Sequence, residues 1–174
     1  ASPDFAGDAA LGKPAMVVSH LISRSPSLLY FGQDVGEDGS ENAGFGSPTR
    51  TSIFDYIGVT AHQAWMNNGK FDGGQLTTEQ AQLRQYYISI MALNDLPAIV
   101  AGDMAQLMIT GSDSVIGFVR TLGQQSLWVL SNFSQQAQTL TITLTPNQAT
   151  MLKPNSTLYD LLESHNGILV SDEK

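Results

Sequence analysis

LLYFGQDVGEDGSENAGFGSPTRTSIFDY, residues 28–56, is the stretch whose reading decides the fold. Residues 27–31 form an uninterrupted apolar run between Ser25-Pro26 and Gly32, a pattern that predicts a buried parallel strand. Upstream, Pro14 begins a helical stretch to about Arg24, with Met16, Val17, His20 and Leu21 on one face. Proline is tolerated there because a first-turn N–H has no intrahelical partner. Helix then buried strand is half of a βαβ unit, which places this part of the chain in the α/β class. After the strand comes a loop dense in glycines, carboxylates and aromatic rings.

Downstream, residues 35–76 are rich in turn formers, with Asn67-Asn68-Gly69 and Asp72-Gly73-Gly74 as the clearest signals. A short helix is expected over residues 61–66. Thr77-Thr78-Glu79-Gln80 is a capping box, and Leu76 with Ala81 supplies a hydrophobic staple. Leu83, Tyr87, Ile90, Met91 and Asn94 follow at helical spacing, and Leu96-Pro97 closes the element. Beyond Pro97 the period shortens to two. Strands are expected over 115–121, 126–133 and 139–145, with further candidates at 158–162 and 168–170. In the third, Leu140, Ile142 and Leu144 alternate with threonines. Short strands at this spacing predict an antiparallel β-sandwich over residues 97–174, separate from residues 1–96.

Composition narrows the partners. The 174 residues carry a formal net charge of −8, with only 8 lysines and arginines and no basic run. Nucleic acid and anionic membrane surfaces both need cationic residues, so a neutral polar ligand suits the chain better. Absence of cysteine excludes disulfides, thiol catalysis and thiolate metal sites. No apolar run approaches the roughly 18–20 residues that span a bilayer, and no signal peptide is visible.

The chemical signals point to sugars. GxGxxG, a Walker lysine, GxSxG and HExxH are all absent, which argues against nucleotide, serine-hydrolase and zinc-peptidase readings. His20, His62 and His165 are scattered, and His20 on an apolar face reads as a packing residue. Glu37, Asp38 and Glu41 read as a solvated acidic loop; a calcium site is the competing reading, without the EF-hand spacing. Asp34 and Asp55 lie beside aromatic residues. Aromatic faces stack on pyranose rings while carboxylates, amides and guanidinium groups bond hydroxyls, and Phe31, Gln33, Asp34, Arg50, Phe54, Tyr56 and Trp65 form that set. Each aromatic has core packing as its competing role, and Trp128, mid-strand, reads as core. The triplets at Asn132 and Asn155 match a glycosylation acceptor and decide nothing.

Gly32-Gln33-Asp34, the loop after it, the capped helix and the strand Leu127-Trp128-Val129-Leu130-Ser131-Asn132-Phe133-Ser134 occur in an order that resembles the C-terminal part of an α-amylase-superfamily glycoside hydrolase of bacterial type. Asp160-Leu161-Leu162 adds to the likeness, which covers nearly the whole chain. The resemblance implies the last unit of a TIM (β/α)8 barrel over residues 1–96, followed by a β-sandwich, domain C, over residues 97–174. In that family the motif reads Gly-Gln-Glu, so Asp34 is a shortened carboxylate. The family cleaves α-glucosidic bonds with retention, and its hydrolase, transglycosylase and isomerase members share this region. Its three catalytic carboxylates precede the eighth strand, and the usual Asn-His-Asp is not in this sequence. The resemblance therefore implies no catalytic residue here and an inactive isolated chain. It implies substrate contacts at Gln33, Asp34, Arg50, Asp55 and Tyr56, and an α-glucan or maltooligosaccharide as the parent's ligand. It further implies no cofactor (calcium stays open for the parent) and self-association through an exposed barrel-facing surface; the charge predicts no nucleic-acid or membrane partner, and the lack of cysteine is compatible with a periplasmic or secreted setting. The alternative is a non-catalytic carbohydrate-binding or interaction module built on the sandwich.

Overall fold

The computed structural model describes residues 7–40, 51, 58–152, 154, 157–162 and 168–169. The chain packs as two units, one of residues 1–16 and 27–88, the other of residues 17–26 and 89–174. Helices come first and antiparallel strands in small open sheets follow, a mixed α and β architecture.

α1 (Lys13–Leu21) starts where Pro14 predicts and is divided between the two units after Met16; its face of Met16, Val17, His20 and Leu21 is buried. The run 27–31 does not form a strand: it pairs with nothing as a ladder among the described residues, and Leu28 is 87% exposed. Turn chemistry wins over apolar character here. Gln33 N–H donates to the Tyr30 carbonyl at 3.0 Å, and Tyr30 N–H donates back to Gln33 Oε1 at 3.2 Å. That reciprocal closure bends the chain just where a ladder would continue. A parallel strand also needs neighbours to accept its backbone groups.

α2 spans Thr60–Met66, and α3 spans Thr78–Ala92. The capping box ahead of α3 is formed as read, with Thr77 N–H donating to Gln80 Oε1 at 3.0 Å and Gln80 N–H to Thr77 Oγ1 at 3.2 Å. Leu83, Tyr87 and Ile90 are buried at the helical spacing, Met91 is half-buried and Asn94 is exposed.

The second unit takes over within α3. Pro97 occupies the first turn of the short α4 (Pro97–Val100). β1 (Asp103–Gln106), β3 (Val115–Leu122) and β4 (Gln125–Asn132) form an antiparallel sheet in the order β1-β3-β4. β3 and β4 are a hairpin closed by Gly123-Gln124, with Leu122 opposite Gln125 and Val115 opposite Asn132. Phe118, Val119 and Val129 are its buried apolar side chains, while Trp128 is only half-buried. A Cβ at Gly117 would run into the Ile109 side-chain end and lie 2.9 Å from Leu130 Cδ2, so both of those side chains would have to move aside to admit one. β2 (Met108–Thr110) pairs with β5 (Thr141–Thr143), and β6 (Thr157–Leu158) with β7 (Ile168–Leu169), both antiparallel. β5 is shorter than the 139–145 expected, yet the threonines are exposed and the aliphatics half-buried along 139–144, as the alternation requires. The short α5 (Pro146–Ala149) opens on a capping box between Thr145 and Gln148.

Arg120 organises this unit. It is 1% exposed, and its guanidinium donates to the carbonyls of Ile99 at 2.9 Å, Gly102 at 2.8 Å and Leu21 at 3.4 Å. Those carbonyls lie at or just past the C-terminal ends of α4 and α1, where a helix leaves acceptors unpaired and carries partial negative charge. Burial lowers the Arg120 pKa from its ordinary value, helped by the charge of Arg24, while Asp103 acts the other way. Arg24 and Asp103 form an exposed ion pair at 2.8 Å.

Candidate functional site: the Gly32–Glu37 turn and its aromatic flank

The first unit brings four of the residues that the sequence singles out, Phe31, Gln33, Asp34 and Trp65, to one turn and its flank. Gln33–Val35 is a 3-10 turn bracketed by two left-handed glycines, Gly32 at φ +76° and Gly36 at φ +70°. Glu37 N–H returns to the Gly32 carbonyl at 2.9 Å and closes it. A side chain at Gly32 would place its Cβ 2.5 Å from Glu37 Cβ, so both the dihedral and the close approach require glycine. Val35 is buried and anchors the turn.

This turn aims Gln33 and Asp34 at α3. Gln33 Nε2 donates to Tyr87 Oη at 3.1 Å and approaches Met16 Sδ at 3.7 Å. Burial raises the Tyr87 pKa and the Gln33 bond lowers it, leaving the phenol neutral as an acceptor from the amide. Asp34 is ion-paired with Arg84, with side chains 23% and 29% exposed, so the pair is partly desolvated. The Arg84 guanidinium also lies 4.6 Å from the Trp65 ring centroid, a cation–π contact. Asp34, Arg84 and Trp65 thus form one chain of contacts linking the turn, α3 and α2.

Glu37 departs from the solvated-loop reading: it is 4% exposed. Its carboxylate accepts from His62 N–H at 2.9 Å and from Asp38 N–H at 3.3 Å. His62 is in the first turn of α2, and the residue before that helix, Val59, has no side-chain acceptor to cap it. Glu37 supplies the cap from a distance, and an anion is favoured there by the helix dipole. Asp38 is exposed as expected, and its bonds from Ser40 hold its carboxyl below the usual range.

Rings extend the site. Phe31 and His62 have centroids 4.4 Å apart, His62 and Trp65 5.4 Å, and Trp65 and Phe71 5.8 Å in an edge-to-face arrangement. Phe71 is 56% exposed and sits at φ +56°, which is unusual for a bulky residue. Its turn is pinned on both sides, by Phe71 N–H to the Met66 carbonyl at 3.0 Å and Gly73 N–H to the Trp65 carbonyl at 2.9 Å. Asp72 Oδ1 accepts from Asn67 Nδ2 at 2.7 Å and Gly74 N–H at 3.0 Å, and these bonds lower its pKa.

Of the five expected contact residues, Gln33 and Asp34 are adjacent in this turn and both bond to α3. Arg50, Asp55 and Tyr56 lie outside the described residues, as does Phe54. Phe31 and Trp65 are half-buried and belong to the ring series, so each both packs and borders the polar groups. Arg84, Tyr87, His62, Glu37 and Phe71 complete the site, and sequence reasoning does not nominate them. For Arg84 a signal existed: it stands next to Leu83 and three residues before Tyr87, on the border of the buried helix face. Phe71 is a lone aromatic among turn formers. Among the described residues no group of three His, Cys, Asp or Glu side chains is placed to hold a metal ion. Chemically, carboxyl oxygens bonded to a guanidinium or to backbone N–H groups are acceptors, suited to positioning a neutral polar ligand. Comparison with protein-family models, with curated proteins and with solved structures finds no match for this chain.

Proposed function

We propose that this chain contributes the rim of a sugar-binding cleft in an α-amylase-type retaining glycoside hydrolase acting on α-glucans such as starch or maltooligosaccharides. Residues 1–96 correspond in this reading to the end of the (β/α)8 barrel and residues 97–174 to the sandwich called domain C. The observation that carries it is the contact chain from Asp34 through Arg84 to Trp65, with Gln33 alongside on Tyr87. A guanidinium between a carboxylate and an indole face offers remaining N–H donors beside an apolar surface, which is what a pyranose with its hydroxyls presents in complement. The low cation content and net charge of −8 favour a neutral ligand. Gln33 and Asp34 position substrate and bond cleavage belongs to other residues of the parent.

The test is a titration of the 174-residue chain with maltoheptaose, followed by amide and indole NMR shifts. Saturable shifts at Gln33, Asp34, Arg84 and the Trp65 indole are expected. Absence of shifts there, or equal shifts with cellohexaose, overturns the α-glucan assignment. The exposed Phe133 and Tyr159 favour a second reading, a binding module in the second unit. Shifts confined to those two residues would select it.

A further inference from the structure

Phe71 is the residue whose geometry the fold itself does not explain. Its backbone is left-handed, a conformation that a bulky side chain disfavours. The other left-handed positions nearby are Asn67, Asn68, Gly69 and Gly73, residue types that accept the conformation readily. More than half of the Phe71 surface faces solvent, so burial does not repay the strain. Strained residues held by their surroundings concentrate at sites of binding and catalysis. The surroundings here are the two backbone bonds from Phe71 and Gly73 to the end of α2, and the edge-to-face contact with Trp65.

We propose that Phe71 is a sugar-stacking subsite, its exposed ring taking the apolar face of a neutral pyranose unit while Trp65 fixes its orientation. The ligand class follows from the neighbours. Asn68, Lys70 and Asp72 are exposed neighbours of Phe71 in the chain and carry hydroxyl-bonding groups, and a lone ring in a polar turn is too small for a protein interface. A ring held rigid before binding loses little entropy on contact. The subsite rests on the carbohydrate reading above but not on its α-glucan specificity.

The chain has two tryptophans, so Trp128→Phe leaves Trp65, next to Phe71, as the sole indole reporter under excitation selective for tryptophan. Titration of this chain with maltoheptaose is expected to change Trp65 emission. Phe71→Leu keeps apolar bulk but loses the aromatic face, and should weaken binding about fivefold at an unchanged melting temperature. Phe71→Asn suits the left-handed backbone, and should weaken binding at least as much as Phe71→Leu while melting no lower than the unsubstituted chain. Maltoheptaose binding that is equal in Phe71→Leu overturns the subsite and leaves the cleft assignment standing. Binding of cellohexaose alone, weakened in Phe71→Asn, supports the subsite and removes the α-glucan assignment. Binding of neither sugar overturns both.

Discussion

The two units hold themselves together by different means. The second is built on ladders: the β3–β4 hairpin with eight residues in register, an antiparallel β1, and a buried guanidinium that gathers backbone carbonyls from two helix ends. The first has no paired strand among its described residues. Its cohesion comes from side chains that reach across loops, Gln33 to Tyr87, Asp34 to Arg84 and Glu37 to His62 N–H. A ladder distributes its energy over many equivalent bonds, so one lost bond is shared. A loop held by single bonds concentrates each in one residue, which permits precise aim at a ligand and tolerates substitution poorly.

The largest expected effect lies at the exception within the ladder unit. Arg120→Met should destabilise the second unit by about 3 kcal/mol, because the Ile99 and Gly102 carbonyls lose their donors while buried. Chemical denaturation followed at β-sheet amides checks it. An unchanged midpoint would mean that relief of the desolvated charge balances those carbonyls, and the contrast between units would weaken. Gly32→Ala comes next, at about 2 kcal/mol, since the left-handed backbone and the approach to Glu37 both oppose a methyl group. Hydrogen exchange should localise its effect to the first unit; spread into β3 and β4 would erase the distinction. Arg84→Met should cost about 1 kcal/mol, the worth of a partly exposed ion pair, and should weaken sugar binding more than it lowers the melting temperature. Thr77→Ala should cost about 1 kcal/mol or less through loss of the α3 cap.

The smallest effect is a pH dependence. Burial lowers the pKa of His20, and a hydrogen bond with Asn94 opposes the shift without cancelling it. The folded chain therefore binds the proton less readily than the unfolded one, whose imidazole has the ordinary value near 6.5. The contribution to stability is full above that value and declines as the pH falls through it. His20→Gln should flatten the melting temperature between pH 7 and 5; an identical slope in the variant would assign the dependence to other groups.

Much of the helical part was legible because its signals are local. The Thr77–Gln80 box, Pro14 in a first turn and the Leu83–Tyr87–Ile90 spacing each act within a few residues, and each appears where the sequence puts it. The β3–β4 hairpin was legible for the same reason, with apolar runs either side of Gly123. β1 and β2 were not. Asp103–Gln106 is exposed at every position, so an edge strand of this kind carries no alternation to detect. The 27–31 run failed in the opposite sense, since its composition is that of a strand but the residues after it favour a turn. Within the site, Gln33 and Asp34 could be nominated from a motif, whereas their partners Tyr87 and Arg84 lie about fifty residues away in sequence. Glu37 could not be told from its solvated neighbour Asp38 because burial is set by the fold of the turn and by α2.

The Glu37 cap also bears on the order of assembly. α2 has seven residues, too few to be stable alone, since starting a helix fixes several residues for one bond. Its capping acceptor is 25 positions upstream, so the helix gains that bond only after the intervening segment has closed. α3, which carries its cap next door, has no such delay. In pulse-labelled exchange during refolding, α3 amides should gain protection first and α2 amides should wait for the Gly32–Glu37 turn. The ring series that includes His62 and Trp65 should accordingly form after α3 in that experiment.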